Sequence, residues 1–118
     1  MAEFEFMKKV AILASGSGSN AENIIKYFSG REDVEVPFVI SNRKEVYVHE
    51  RCKYLGVPSY VMPKADFESG AVTKFLVENN IDLVVLAGFL LRVPNDMLEA
   101  FPNKVINIHP SLLPKYGG

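Results

Sequence analysis

Val10-Ala11-Ile12-Leu13-Ala14 is an unbroken apolar run that passes directly into Ser15-Gly16-Ser17-Gly18-Ser19-Asn20. A short run without polar alternation, bounded by glycine, suits a strand covered on both faces, and such strands belong to parallel sheets. Asp82-Leu83-Val84-Val85-Leu86-Ala87 repeats the pattern and ends at Gly88. Val34 to Ile40 reads as a second strand with Pro37 as an irregularity. Ser59-Tyr60-Val61-Met62 reads as a short third strand and Lys104 to His109 as a fifth. Between them, helical spacing places Ile24, Ile25 and Phe28 on one face of a helix from Ala21 to Phe28, stopped by Ser29-Gly30. Further helices are predicted over Glu45 to Leu55, Gly70 to Asn79 and Pro94 to Phe101, the last with proline in its first turn. This alternation with short connections predicts an α/β fold, a doubly wound, Rossmann-like parallel sheet of five strands with flanking helices.

The chain has 118 residues, enough for one domain to bury a single core without disulfides or metals. A net charge of −1 gives no field that would attract nucleic acid or an acidic membrane surface, so neither is an expected partner. Cys52 is the single cysteine. It can form no intrachain disulfide and no cysteine-based metal site, which suits a reducing cytoplasm. The longest apolar stretch, from Leu83 to Leu91, is too short to span a bilayer. The first six residues carry Glu3 and Glu5 and no basic segment, so they do not read as a signal peptide. They are expected to be a leader outside the fold, leaving 7–118 as one folded unit.

In doubly wound sheets ligands bind beyond the carboxyl ends of the strands, so the residues that follow each strand are the informative ones. After the first strand, glycines let the backbone turn tightly and expose amides, and a helix N-terminus adds partial positive charge. With side-chain donors from Ser19 and Asn20, the latter also a candidate cap, the loop suits a phosphate. Its Gly-Ser-Gly-Ser-Asn-Ala order also fits a dinucleotide fingerprint. The second strand, however, ends in Ser41-Asn42-Arg43-Lys44 and offers no acid for a ribose. NAD is thereby disfavoured, while Arg43 and Lys44 leave NADP as an alternative. A plain connecting turn is the other.

At the fifth strand, Asn107-Ile108-His109-Pro110 sets an amide and an imidazole two positions apart, with Ile108 turned to the opposite face. Acyl transfer to an amine needs a donor for the oxyanion and a group that moves protons; asparagine suits the first task and histidine the second. An ordinary pair of strand-end polar groups would have the same spacing. His49 is expected to be a solvated surface group, Cys52 a small core residue, and Phe67, Phe75 and Phe101 core packing.

Three stretches together resemble the phosphoribosylglycinamide formyltransferase family. They are Ala14-Ser15-Gly16-Ser17-Gly18-Ser19-Asn20, Val84-Val85-Leu86-Ala87-Gly88-Phe89, and Asn107-Ile108-His109-Pro110-Ser111-Leu112-Leu113-Pro114-Lys115-Tyr116. The related methionyl-tRNA formyltransferases share Asn-Ile-His but differ in the first loop, so the pattern favours the branch acting on a small molecule. The resemblance implies transfer of a formyl group from 10-formyltetrahydrofolate to the amine of glycinamide ribonucleotide, in purine synthesis, without a metal. It implies that Gly18, Ser19 and Asn20 bind the phosphate, that Asn107 holds the formyl oxygen, and that His109 moves protons beside it. The backbone of Leu90, Leu91, Arg92 and Val93 would flank the pteridine.

The family's third catalytic group is an aspartate, whereas the last acidic residue of this chain is Glu99, on a predicted helix. The expectation is a fragment with little or no activity by itself, and self-association through an unpaired sheet edge. The family also often carries arginine one residue before Arg92, and in some members near Gly70. A truncated, non-catalytic piece that folds or complements in trans is the non-enzymatic alternative.

Overall fold

The computed structural model describes residues 7–108. A five-stranded sheet is built from β1 (Lys8–Ala14), β2 (Val34–Ser41), β3 (Ser59–Val61), β4 (Leu83–Ala87) and β5 (Val105–Ile108), in the order β3-β2-β1-β4-β5. Every pairing is parallel. The helices are α1 (Ser19–Phe28), α2 (Val48–Leu55), α3 (Lys64–Glu68), α4 (Ala71–Glu78) and α5 (Asn95–Ala100).

Period-two alternation along β1 divides the core into two layers. Val10, Ile12 and Ala14 face Ala21 and Ile25 of α1 and Val48 and Cys52 of α2. Ala11 and Leu13 face Phe67, Val72, Leu76 and Met97 from the other three helices. Helices on both faces leave β1 no solvent side, which explains a run with no polar residue in it. The expected doubly wound α/β sheet is the one observed.

Pro37 is accommodated by a register shift: Lys9 pairs with Glu35 but Ala11 with Phe38, so β2 carries an extra residue opposite Val10. A bulge there removes the demand for the amide that proline lacks. Two helices begin elsewhere than the spacing suggests. α1 starts at Ser19 rather than Ala21, with Gly18 as its cap. α2 starts at Val48 rather than Glu45 because the Val48 amide donates to the Gly16 carbonyl at 3.2 Å, which ties its first turn to the loop after β1. The five-residue α3 was not expected; it follows Pro63 and exists to seat Phe67, 2% exposed, in the core. Phe101 is also buried, and Phe75 packs against the same cluster half-buried.

No helix among the described residues is long and apolar enough to cross a membrane.

Candidate active site at the strand-order reversal

The chain leaves β1 toward β2 and β3 on one side, and returns across β1 to β4 and β5 on the other. The loops after β1 and β4 therefore diverge at a crevice, the place where such sheets bind ligands. Gly18 closes the loop after β1, with Ser19 and Asn20 opening α1 behind it; the loop after β4 holds Leu90 to Val93. The sheet order thus brings together two groups of candidate residues that lie about seventy positions apart in sequence.

Ser15, fully buried at the end of β1, joins these loops. Its amide donates to the Gly88 carbonyl at 3.2 Å. Its hydroxyl donates to Asn42 Oδ1 at 2.7 Å and accepts the Leu90 amide at 2.8 Å. One side chain thereby fixes the segments that follow β1, β2 and β4. Ser15 and Asn42 were both legible only as loop residues; a serine between an apolar strand and a glycine was the available signal.

Gly18 adopts φ 82°, in the left-handed region. A Cβ there would stand 2.5 Å from Val48 Cγ2 and 2.8 Å from Val48 Cα. Only glycine lets α2 close on the loop this tightly. Ser19 is exposed and Asn20 half-buried, both in the first turn of α1. Neither caps the helix, and Asn20 as cap is therefore corrected: no side chain makes a capping hydrogen bond, because Gly18 occupies the cap position. Within that turn the Glu22 amide donates to the Gly18 carbonyl at 2.8 Å, and among the described residues the amides before it are left for water or a ligand.

Asn107 is exposed on β5, paired in register with Leu86. Val105 packs on the layer that also receives Leu91 and Val93, while Ile108 packs on the opposite layer. By alternation Asn107 shares the side of Val105, hence that of the β4 loop. His109 lies outside the described residues, as do residues 1–6. In the β4 loop Leu90 is 78% exposed, Arg92 is exposed, and Leu91 and Val93 are half-buried. A cleft of about 140 Å³ lies beside it, lined by Phe67, Leu91, Arg92 and Pro94 among others. That is below the roughly 300 Å³ at which small-molecule pockets begin, so these residues supply one wall rather than a whole pocket. A larger groove, lined by Val77, Asp82, Phe101 and Lys104, opens at the amino ends of β4 and β5, the wrong end of the sheet for chemistry.

The family profile of formyl transferases matches residues 8–118. The chain belongs to the formyl transferase family. This family member is 37% identical over 118 residues to the phosphoribosylglycinamide formyltransferase of Haemophilus influenzae, covering 95% of this chain and 56% of that protein. It is 33% identical to the enzyme of that name from Bacillus subtilis, covering 95% of this chain and 60% of the other. Among solved structures, glycinamide ribonucleotide transformylase 1 from Symbiobacterium toebii superposes with TM-score 0.80 at 38% identity, over 94% of this chain and 55% of that one. The phosphoribosylglycinamide formyltransferase of Streptococcus pneumoniae gives TM-score 0.77 at 41% identity, over 93% and 61%. This formyl transferase chain therefore spans little more than half the length of the proteins it resembles. The NADP-binding alternative finds no support in these relationships.

Outside the crevice, His49 is not the solvated group expected. Its Nε2 lies 2.9 Å from the Arg43 carbonyl and its Nδ1 2.8 Å from Ser59 Oγ. A carbonyl only accepts, so Nε2 carries the proton and a neutral ring takes the Ser59 hydroxyl hydrogen at Nδ1. His49 is thus a bridge from α2 to the segments around β2 and β3. Cys52 is 1% exposed, and burial pushes its thiol up to about 11, so it is the inert core residue the sequence suggested.

Proposed function

We propose that this chain is the nucleotide-binding part of a phosphoribosylglycinamide formyltransferase. The parent activity is transfer of a formyl group from 10-formyltetrahydrofolate to the amine of glycinamide ribonucleotide. The observation that carries the reading is the Ser15 junction, which ties the start of the glycine loop to the Leu90 segment and to Asn42 at the carboxyl ends of the strands.

In this reading the phosphate sits at Gly18, Ser19 and Asn20, held by the free amides of the α1 first turn and the Ser19 hydroxyl. The folate lies against the backbone of Leu90, Leu91, Arg92 and Val93. The substrate amine attacks the formyl carbon, a C–N bond forms, and the bond from that carbon to the folate N10 breaks. Asn107 donates to the formyl oxygen while it carries negative charge, and His109 moves the proton from the attacking amine toward the departing nitrogen. The chemistry calls for no metal, because hydrogen bonding activates the formyl group. Residues 7–118 form one subdomain in this reading, with 1–6 outside it. The cytoplasm is the proposed location, in keeping with one buried thiol. Among the described residues β5 is an edge strand, with Ile106 42% exposed, and a further strand would pair there, from a second copy or from another part of a longer chain.

The test is a pair of calorimetric titrations of the chain, with glycinamide ribonucleotide and with NADPH. Saturation by the ribonucleotide alone supports the proposal. Saturation by NADPH alone, or by neither, sinks it.

A further inference from the structure

The loop that the proposed function assigns to phosphate has a carbonyl dipole and a carboxylate against it. One is the Ser17 carbonyl. The other is Glu22, in the first turn of α1, whose side chain is 22% exposed. A carboxylate at that position suits the positive end of the helix but repels a second anion bound there. Both groups are engaged by one residue of another helix. Arg51 of α2 donates through Nε to the Ser17 carbonyl at 2.7 Å and through a second guanidinium nitrogen to Glu22 Oε1. Its guanidinium carbon stands 4.9 Å from the centre of the Tyr47 ring, which fixes the plane of the fork. Glu22 also pairs with Lys26 at 2.8 Å, but Lys26 is 61% exposed and one turn further along α1, away from the loop. The carboxyl of Glu22 is held below its ordinary range by Lys26 first and Arg51 second.

We infer that Arg51 is the positioning residue of the anion site: it holds the Ser17 turn in place and cancels the Glu22 charge beside it, without itself touching the ligand. The inference rests on the phosphate reading above and adds a residue to it. The guanidinium is suited to both tasks, because its planar fork reaches two acceptors in one geometry and it cannot lose its charge at any pH the protein survives. An arginine needed only for packing would have no reason to meet both the loop carbonyl and the one acid of the first turn.

The inference is tested by titrating glycinamide ribonucleotide into the wild-type chain and into R51M, E22Q and R51M/E22Q at low ionic strength, with circular dichroism confirming the fold of each. Affinity is expected to fall about tenfold in R51M, the scale of one charge at a helix terminus with a charge-assisted hydrogen bond. The share of that loss owed to the uncompensated Glu22 charge, about twofold or more, should return in R51M/E22Q while the share owed to the Ser17 contact stays lost, and E22Q alone should bind about twofold or more tightly than wild type. A purely structural Arg51 predicts no rescue, since the Ser17 and Tyr47 contacts stay lost in the double variant; that result overturns the inference. So does unchanged affinity in R51M. Should R51M fail to fold, E22Q decides alone, and affinity equal to wild type overturns the inference. A wild-type chain that does not bind the ribonucleotide brings down the phosphate reading itself, a result distinct from any of these.

Discussion

The hydroxyl of Ser15 accepts the backbone amide of Leu90 at 2.8 Å across 75 residues of sequence. The same hydroxyl donates to Asn42 at 2.7 Å, so its one proton and one of its lone pairs are committed to two segments that local sequence does not relate.

Replacing Ser15 by alanine leaves the Leu90 amide without its acceptor and Asn42 Oδ1 without its donor. Loss of such a partner costs about 1–3 kcal/mol when the orphaned group stays dry. Leu90 is exposed and can turn to water, so the expected loss for S15A is about 1 kcal/mol, at the lower end of that range. Urea denaturation measures it. Hydrogen exchange at the Leu90 amide should accelerate in the same variant, and an unchanged rate would contradict the assigned bond.

G18A should be more damaging. An alanine at φ 82° is strained by about 1 kcal/mol, and its Cβ meets Val48 atoms at 2.5, 2.7 and 2.8 Å, adding about 1–3 kcal/mol of overpacking. Because Val48 Cβ and Cα are among those atoms, V48A should not rescue it. Thermal melting of G18A and G18A/V48A checks both statements; full recovery in the double variant would show that only the Val48 methyls matter.

Thr73 presents a buried Oγ1 with no hydrogen-bond partner among the described residues, on a helix otherwise packed by Val72 and Leu76. Valine keeps the shape and removes the unsatisfied hydroxyl. T73V is expected to stabilise the chain by about 1 kcal/mol. A lower urea midpoint in T73V would mean that the hydroxyl has a partner after all.

Acid should weaken the fold through two carboxylates. Glu22 is lowered from 4.5 by Lys26 and then Arg51, and Asp33 from 3.8 by its Arg31 partner. A carboxylate whose folded value lies below its unfolded one contributes stability that is complete above the unfolded value and lost as pH falls through the folded one. Melting temperature should therefore be level down to about pH 5 and decline below 4.5. E22Q should show a shallower decline over that window; a curve identical to wild type would remove Glu22 from the account.

Much of this was readable from residue order. Runs such as Val10 to Ala14, with no polar member, required strands covered on both sides, and the intervening helical spacing supplied the cover. Cys52 fell at an apolar helical position and is buried. Asn107 and Ile108, adjacent on a strand, had to face opposite layers, and Ile108 does pack on the layer away from Val105. Local spacing did less well at helix starts. Val48, not Glu45, opens α2, because the deciding hydrogen bond comes from Gly16 in another loop. His49 has a polar neighbourhood in sequence, yet its partners are Arg43 and Ser59, contributed by segments on either side of its helix.

The sequence by itself determined the alternation of buried strands and amphipathic helices, and the place of glycine after the first strand, because side-chain periodicity and backbone freedom are local properties. Tertiary structure alone decided that β1 lies between β2 and β4, that Ser15 joins three strand ends, and that Arg51 reaches back 34 residues to the Ser17 carbonyl. Those contacts depend on strand order and on the closure of one helix against a loop. Both are settled by the packing of the whole sheet, which no window of neighbouring residues contains.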